Sequence, residues 1–397
     1  MVTIKCLACE GILGDVLFSI PDLPLVDSFC ITREDALAVP RYSVDLRQCK
    51  SCSTIQIASP PDTSVIYKNY IYDSSSSPDL SDHFSSYAQY ITALVPSLNT
   101  KILEIGANDG LLLQKLSNEG FTDMMGIDPS PQTAGIAIPG VEIINEFFNE
   151  TSVGHLKPKS FGLVIANNCF SHIPNLSEVL TLCASLLDET GTICVEVQSC
   201  LDLVEGVVFD YIYHEHYFYH SAQSFEKLAK IADLEIYQID HVPTKGGSYR
   251  FLLGHAGFHT IDSSVHYWKF REELAGIHRG EAWNLLTDYL SGIKNALSKL
   301  VNGGGKSIVG YGSSATGTVL MRYMDIEDSI NTIVDDNPKR HGLFAPHTAI
   351  PVKSPSMLEP TDICLILAWR HSNLIVPKLQ RQSIPYVTPL PWITING

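Results

Sequence analysis

The chain has 397 residues, enough for two or three domains that each bury a core. Acidic residues outnumber basic ones by 43 to 27, and the net charge of −16 excludes the basic footprint of a protein that binds nucleic acid or an anionic membrane. We find no apolar run of membrane-spanning length and no secretory signal pattern, so we expect a cytoplasmic protein.

Two Cys-x-x-Cys pairs lie near the N-terminus, Cys6 with Cys9 and Cys49 with Cys52. Four thiolates are enough for a closed tetrahedral zinc site, whereas the alternative is reduced cysteines buried as small hydrophobic side chains. The long segment between the pairs predicts a small β-rich insert. Because a closed site has no vacant position, we assign residues 1–66 to a zinc module with a scaffolding role.

A segment rich in Ser, Pro and Tyr follows at residues 59–80 and includes Tyr72. It is either a linker between the zinc module and the next domain or a lid whose tyrosine hydroxyls face a polar ligand. The linker is the simpler interpretation. An amphipathic pattern then predicts a helix over residues 81–95.

A glycine-rich turn is the centre of the next domain, which we assign to residues 67–260. Ile102–Ile105 predicts a buried strand, Leu111–Glu119 a helix, and Met124–Ile127 a second strand. This strand-turn-helix-strand unit is typical of a doubly wound α/β sheet. The glycine spacing differs from that of a dinucleotide site and is preceded by an acid, which favours S-adenosylmethionine (SAM), a cofactor without phosphates. An ordinary strand-to-helix turn is the alternative.

Further strands are predicted at residues 141–145, 161–166 and 192–197, with late strands at 234–241 and 250–254. Ligands of such sheets bind beyond the carboxyl ends of the strands, so residues that follow strand ends are candidates for the cofactor site. These candidates are Glu104, Gly106, Asn108, Gly110, Asp128, Phe147 and Asn167, with His172 close by.

The densest group of proton-handling side chains lies at residues 209–220, just after a predicted strand. Three interpretations are open. The segment is an ordinary polar and aromatic loop, a metal site built on His214 and His216, or the location of a general base whose neighbours set its protonation.

The last module, residues 261–397, begins with a helical bridge and continues as a second, incomplete Rossmann-like half. A strand enters the turn at residues 310–317, which contains Gly312 and Ser313, and a later strand ends at Asp335. This arrangement permits NAD(P) binding, so an NAD(P)-dependent oxidoreductase is an alternative function.

Six motifs in matching order resemble those of the nucleotide-sugar C-methyltransferases, which methylate nucleoside-diphosphate 4-keto-deoxysugars. They are the two cysteine pairs, Tyr70-Ile-Tyr72 with its serines, residues 104–110, residues 166–172, Ile-Tyr-His-Glu-His at 212–216, and Gly-Gly-Ser-Tyr-Arg at 246–250. The resemblance implies an α/β protein with an N-terminal zinc-binding module, a central class I SAM methyltransferase domain and a C-terminal Rossmann-like domain that helps to hold the nucleotide-sugar.

The resemblance also implies roles for individual residues. His216 would be the base that removes the hydrogen from C3′ to form an enolate, Tyr213 and Glu215 would position substrate and base, His172 would face the sugar or the oxyanion, and Tyr72 would close the lid. Substrate contacts are implied for Gly247, Ser248, Arg250, Gly312 and Ser313.

Two departures from the family pattern stand in the last module, where Thr316 replaces a usual lysine and Arg370 a usual asparagine. They are either compensating phosphate contacts, marks of a different substrate, or neutral solvent-facing changes. A non-catalytic zinc-containing protein that binds sugar nucleotides is a third possible function. We make no prediction about oligomeric state, nucleotide base, exact sugar or the stereochemistry of methylation.

Overall fold

The computed structural model describes residues 4–62, 78–302 and 307–396. Tyr72 and the serines after it therefore lie outside the described residues. The described strands are β1 (Leu13–Pro24), β2 (Arg41–Cys49), β3 (Ile55–Ile57), β4 (Ile102–Ile105), β5 (Met124–Ile127), β6 (Val141–Ile144), β7 (Phe161–Asn167), β8 (Leu187–Gln198), β9 (Phe218–Tyr219), β10 (Leu234–Val242), β11 (Ser248–His255), β12 (Ile308–Tyr311), β13 (Thr332–Val334), β14 (Val352–Lys353), β15 (Ile363–Ile366), β16 (Tyr386–Thr388) and β17 (Thr394–Asn396).

The α-helices are interspersed among these strands along the chain. They are α1 (Arg33–Leu37), α2 (Pro78–Leu94), α3 (Leu111–Glu119), α4 (Glu150–Val153), α5 (Leu176–Leu186), α6 (Cys200–Glu205), α7 (Ala222–Ile231), α8 (Ser263–Ala275), α9 (Glu281–Asn302), α10 (Ala315–Met324) and α11 (Ser372–Arg381). Within these described segments, no helix is long and apolar enough to cross a membrane.

The N-terminal module is an antiparallel sheet in the order β1-β2-β3-β9. The long hairpin of β1 and β2 forms the β-rich insert between the two cysteine pairs, as predicted. Strand β9 comes from much later in the chain and pairs with β3, where Ile55 lies opposite Tyr219. The module thus shares a sheet with the loop at residues 209–220, and its predicted boundary with the next domain stays a prediction.

The central sheet has the order β10-β11-β8-β7-β4-β5-β6. Six of the seven strands run in the same direction, and β11 runs antiparallel to both of its neighbours. Helices α2 and α3 pack on one face, and α5 and α7 on the other, so that both faces are covered. The chain order reverses between β4 and β7, which is the position where a doubly wound sheet opens a crevice for its ligand.

The C-terminal sheet has the order β14-β13-β12-β15-β16-β17, parallel except for the last strand. Helices α10 and α11 cover opposite faces. An aromatic cluster connects this domain to the other two. The Phe18 ring stacks on Tyr323 at 5.4 Å, and the Phe209 ring lies 4.7 Å from Tyr323. The loop at residues 209–220 is therefore enclosed where the three sheets meet.

Candidate active site

The glycine turn after β4 is built so that a side chain would not fit. Gly106 has a φ of +77°, in the left-handed region, and its N–H donates to the Ile127 carbonyl at 2.8 Å. A Cβ atom on Gly106 would lie 2.7 Å from the Cβ of Cys169. The turn therefore brings bare backbone to the crevice between β4 and β7, as a cofactor loop requires.

Two buried polar side chains next to this turn lack partners. Glu104 is 3% exposed and its Oε2 has no hydrogen bond, and Asn167 is 9% exposed with neither its Oδ1 nor its Nδ2 bonded. Burial, with the carboxylates of Asp128 and Asp109, raises the pKa of Glu104 well above its ordinary value. Since buried polar atoms are nearly always hydrogen-bonded, these orphans fit a polar ligand that carries an amino group, such as the amino-acid end of SAM.

Asp128 follows β5 at the same edge of the sheet. Its Oδ2 accepts the Asn108 N–H at 3.1 Å and its Oδ1 accepts the Ser130 N–H at 2.7 Å. Each oxygen keeps a second lone pair that can accept from a ribose hydroxyl. Gly110 begins α3 with a φ of +79°, and Phe147 lies beyond β6 with 64% of its surface exposed. The predicted cofactor residues thus share one edge, with Phe147 on its solvent side.

Backbone hydrogen bonds bring the two histidine-bearing segments together. The N–H of Tyr217 donates to the Ser171 carbonyl at 2.7 Å, and β9 ties the end of the loop to β3. His172 and His216 each stand one residue from this link. Their ring centroids are 4.8 Å apart, and the Tyr213 ring lies 4.3 Å from His216. The structure therefore gathers three of the predicted catalytic side chains in one cluster.

A single hydrogen bond assigns the tautomer of His216. Its Nδ1 lies 2.9 Å from the Tyr211 carbonyl, which can only accept, so Nδ1 carries the proton. The Nε2 atom is then unprotonated and able to accept a proton. This is the state that a general base needs.

Burial keeps both rings of the pair neutral at pH 7. It lowers the pKa of His216 well below 6.5, with further contributions from His172 and Lys245, and it lowers the pKa of His172 to about 4, with a contribution from Lys245. A neutral imidazole can remove a proton, but one with so low a pKa is a weak base. Deprotonation of carbon here therefore needs stabilisation of the anion that forms.

The neighbouring His214 is bound to another segment, and Glu215 lies in desolvated surroundings. The Nε2–H of His214 donates to the Tyr42 carbonyl at 3.0 Å, and burial raises the pKa of Glu215 to about 7, with Asp27 adding to the shift. The two histidines of the metal alternative thus bind separate carbonyls. In the described part of the chain, the only group of side chains arranged to hold a metal is the four-cysteine cluster, so the metal alternative for this loop has no support.

Lys245 is a site residue that the sequence reasoning missed. It precedes the predicted Gly-Gly-Ser-Tyr-Arg turn with a φ of +53°, and its carbonyl accepts from Gln198 at 3.1 Å. Its ammonium group adds to the lowering of the pKa of both His172 and His216, after the larger effect of burial. The feature of the sequence that could have identified Lys245 is its position directly before the Gly-Gly turn, in a chain where acidic residues outnumber basic ones.

The turn at residues 246–250 carries buried side chains that connect helix α2 to the central sheet. Ser248 and Arg250 are buried, and the Arg250 guanidinium donates to Glu196 Oε2 at 2.9 Å. That guanidinium also lies 4.1 Å from the centre of the Tyr87 ring, and His83 Nε2 is 2.7 Å from Glu196 Oε1. This network holds α2 against the edge of the sheet. The predicted substrate contacts of Gly247, Ser248 and Arg250 stay predictions.

In the C-terminal domain, the carboxylate of Asp335 accepts hydrogen bonds from the glycine turn. Asp335 Oδ2 accepts from the backbone N–H of Ser313 at 2.6 Å and from its hydroxyl at 2.8 Å, and Asp335 Oδ1 accepts from Asn337. A dinucleotide would need this carboxylate for its ribose. Asp335 Oδ1 keeps a second lone pair, as the oxygens of Asp128 do, so this geometry does not decide against the NAD(P) alternative, and the contacts of Gly312 and Ser313 with substrate stay predictions.

The four cysteines of the N-terminal module converge. Their Sγ atoms lie within 4.8 Å of one another, with Cys6 and Cys52 at 3.8 Å and Cys9 and Cys49 at 3.6 Å. Tetrahedral zinc with Zn–S bonds of about 2.3 Å separates its sulfurs by ~3.8 Å. The N–H of Ser51 also points to Cys49 Sγ at 3.3 Å, as a thiolate would favour. The residues therefore fit a structural zinc ion.

Comparison with known proteins agrees with this architecture. The family described as "Methyltransferase domain" matches residues 80–239, and the family described as "C-methyltransferase C-terminal domain" matches residues 243–391. The C-methyltransferase NovU of Streptomyces niveus is 26% identical over 383 residues, which cover 93% of this chain and 91% of that protein.

Two solved structures show a partial likeness. Magnesium protoporphyrin IX methyltransferase (ChlM) from Synechocystis PCC 6803 with bound SAM has 15% identity, a TM-score of 0.33, and coverage of 44% of this chain and 79% of its own. The PH0226 protein from Pyrococcus horikoshii OT3 has 14% identity, a TM-score of 0.39, and coverage of 48% and 97%.

The two domain families adjoin along the chain, and NovU is similar over nearly its whole length. The central domain has the strand order and the polar crevice of a class I SAM methyltransferase. The chain therefore belongs to the family of SAM-dependent C-methyltransferases that the sequence motifs indicated.

Proposed function

We propose that this protein transfers a methyl group from SAM to C3′ of a nucleoside-diphosphate 4-keto-deoxysugar, with His216 as the general base. The observation that carries the proposal is the hydrogen bond from His216 Nδ1 to the Tyr211 carbonyl, which leaves Nε2 as a proton acceptor beside His172 and Tyr213. The likeness to NovU supports C-methylation as the reaction class.

The chemistry requires a neutral base and a stabilised oxyanion. A 4-keto group acidifies the hydrogen on C3′ because the carbanion delocalises into an enolate. His216 Nε2 takes this proton, the ammonium group of Lys245, whose charge acts on His216, would stabilise the enolate oxygen, and His172 would face the sugar. Tyr213 and Glu215 position the sugar and the base.

The cofactor would be held at the edge of the central sheet. Glu104 and Asn167 would bind its amino-acid end, Asp128 its ribose hydroxyls, and the turn at residues 106–110 would lie against it, with Phe147 near its base. SAM supplies an electrophilic methyl group on a sulfonium. The enolate carbon of the substrate would attack that methyl group, so that the new C–C bond forms as the sulfur–methyl bond breaks and S-adenosylhomocysteine leaves with the electron pair.

The remaining assignments complete the proposal. Residues 1–66 form a structural zinc module on Cys6, Cys9, Cys49 and Cys52, and residues 67–260 form the methyltransferase domain. Residues 261–397 form the domain that binds the nucleotide-sugar. The protein acts in the cytoplasm. Gly247, Ser248, Arg250, Gly312 and Ser313 contribute to substrate binding, directly or by shaping the turns that do.

The test pairs labelled SAM with a panel of nucleotide 4-keto-sugars and follows both methylation and base-catalysed exchange of the C3′ hydrogen for deuterium. The variant is His216→Asn, whose amide can still donate to the Tyr211 carbonyl but has no atom in place of Nε2. It should bind SAM like the wild type and lose both exchange and methylation. Removal of a general base lowers the rate of the step it catalyses by ~10²–10⁴-fold.

His266→Asn is the matched control because this exposed histidine lies on α8, away from the cluster. It should leave every measurement unchanged. If His216→Asn exchanges and methylates at the wild-type rate, the base assignment is wrong. Tight binding of NAD(P) with no binding of SAM would favour the oxidoreductase instead.

A further inference from the structure

We infer that Arg370, from the C-terminal domain, is a positioning residue for His216 that acts through Asp210 and Tyr211. This inference rests on the proposed function for its catalytic consequence, but the contacts stand without it. They also explain one of the two departures from the family pattern. Arg370 is not a solvent-facing substitution, because its side chain is 16% exposed and reaches into the loop at residues 209–220.

The first link is a buried ion pair. The Arg370 Nη1 donates to Asp210 Oδ1 at 2.6 Å, and Trp369 Nε1 donates to Asp210 Oδ2 at 2.9 Å. Asp210 is fully buried, and burial raises the pKa of its carboxyl while Arg370 opposes the rise. Without the guanidinium, the carboxylate would be left buried with neutral donors and no cation, which is strongly unfavourable.

The second link is a stacked ring. The guanidinium carbon of Arg370 lies 4.4 Å from the centre of the Tyr211 ring, and Tyr211 follows Asp210 in the single 3₁₀ turn Phe209–Tyr211. One planar cation thus holds two consecutive residues, by a charged hydrogen bond to the first and by its face to the second. A lysine could replace the charge but not this planar contact.

The third link reaches the base. The Tyr211 carbonyl accepts the Nδ1–H of His216 at 2.9 Å, and the Tyr211 and His216 rings are parallel within 5° at a centroid distance of 6.1 Å. Tyr211 therefore determines both the tautomer and the plane of the imidazole. Because Arg370 fixes Tyr211, the direction of His216 Nε2 depends on a side chain of another domain.

Direct contact of Arg370 with a substrate phosphate is the competing role, and kinetics separate the two. Loss of a phosphate contact raises KM and leaves the rate of proton abstraction in the bound complex unchanged. Loss of positioning lowers kcat and the C3′ exchange rate together, because a base displaced by about 1 Å costs ~10²-fold.

The experiment compares Arg370→Gln and Arg370→Lys in the full chain with Arg322→Gln. Arg322 is a matched control, since it also joins the C-terminal domain to another part of the chain, through the Pro21 carbonyl and Asp22, and none of its contacts within the described residues is with the catalytic loop. The readouts are SAM affinity, kcat and KM, C3′ deuterium exchange, and the ¹⁵N shifts of His216 without substrate.

Arg370→Gln should lower kcat and exchange by ~10- to 100-fold, leave SAM affinity unchanged, and mix the two neutral tautomers of His216. Arg370→Lys keeps a cation beside Asp210, so it should fold and give an intermediate loss even where the Gln variant is unstable. Arg322→Gln should match the wild type.

A wild-type His216 spectrum in both Arg370 variants, or a rise in KM alone, would overturn the inference. Absence of C3′ exchange in the wild type would instead refute the proposed function, and the ¹⁵N shifts would then still decide the positioning role.

Discussion

Gly106→Ala is the sharpest test of the cofactor crevice. The φ of +77° costs an alanine about 1–2 kcal/mol relative to glycine, and its Cβ would sit 2.7 Å from the Cβ and 3.0 Å from the Sγ of Cys169. Overpacking of this kind adds ~1–3 kcal/mol. The free energy of unfolding should therefore fall by about 2–5 kcal/mol, and SAM binding should weaken because the turn moves into the crevice.

The assays are urea denaturation for stability and titration calorimetry for SAM. The double variant Gly106→Ala with Cys169→Gly removes both clashing atoms but not the left-handed backbone, so it should recover the steric part of the SAM affinity. Gly292→Ala is the control, because Gly292 is exposed in α9 with nothing within 4 Å and should gain up to ~1 kcal/mol. If Gly106→Ala is as stable as the wild type and binds SAM equally well, the geometry of the crevice is wrong.

Acid should destabilise the fold between pH 6.5 and about 4. Burial lowers the pKa of His172, His214 and His220 to about 4, so below pH 6.5 each of these histidines destabilises the fold by up to about 1.4 kcal/mol per pH unit, because it binds a proton in the unfolded chain first. The raised pKa values of Glu104 and Glu215 act in the opposite direction and offset part of this loss. Urea denaturation at pH 7.5 and 5.5 measures the net loss, and equal stabilities would contradict it. Metal analysis should find one zinc per chain, and chelation or Cys49→Ser should unfold the N-terminal module, as seen by circular dichroism, whereas Cys30→Ser should have no such effect because Cys30 lies outside the cluster. In the Glu215→Gln variant, which removes a neighbouring group whose pKa is about 7, the C3′ exchange rate should stay constant through pH 7 and fall only well below 6.5, where His216 becomes protonated; an acid limb above 6.5 in that variant would rule out a neutral base of low pKa.

Local pattern was enough for the elements around the cofactor crevice. The sequence predicts α3 at Leu111–Glu119 and β5 at Met124–Ile127, and the structure has the same bounds. These elements are specified by short-range physics, because an apolar run, a left-handed glycine and helical spacing act over a few residues. The two cysteine pairs likewise predicted their cluster, since four soft ligands have few other uses.

Tertiary structure alone decided which side chains meet. Arg250, whose contact with substrate stays a prediction, is paired with Glu196, and Arg370 is paired with Asp210 across 160 residues. Nothing in local periodicity selects such partners, because a guanidinium can pair with any carboxylate that folding brings near it.

The same holds for the base. The sequence marks His216 as one of several histidines in a polar loop, whereas the carbonyl of Tyr211 determines its tautomer and the surrounding domains determine its pKa. Residue types and their order thus establish the reaction class, but the protonation and direction of an imidazole depend on groups that only the packed domains supply.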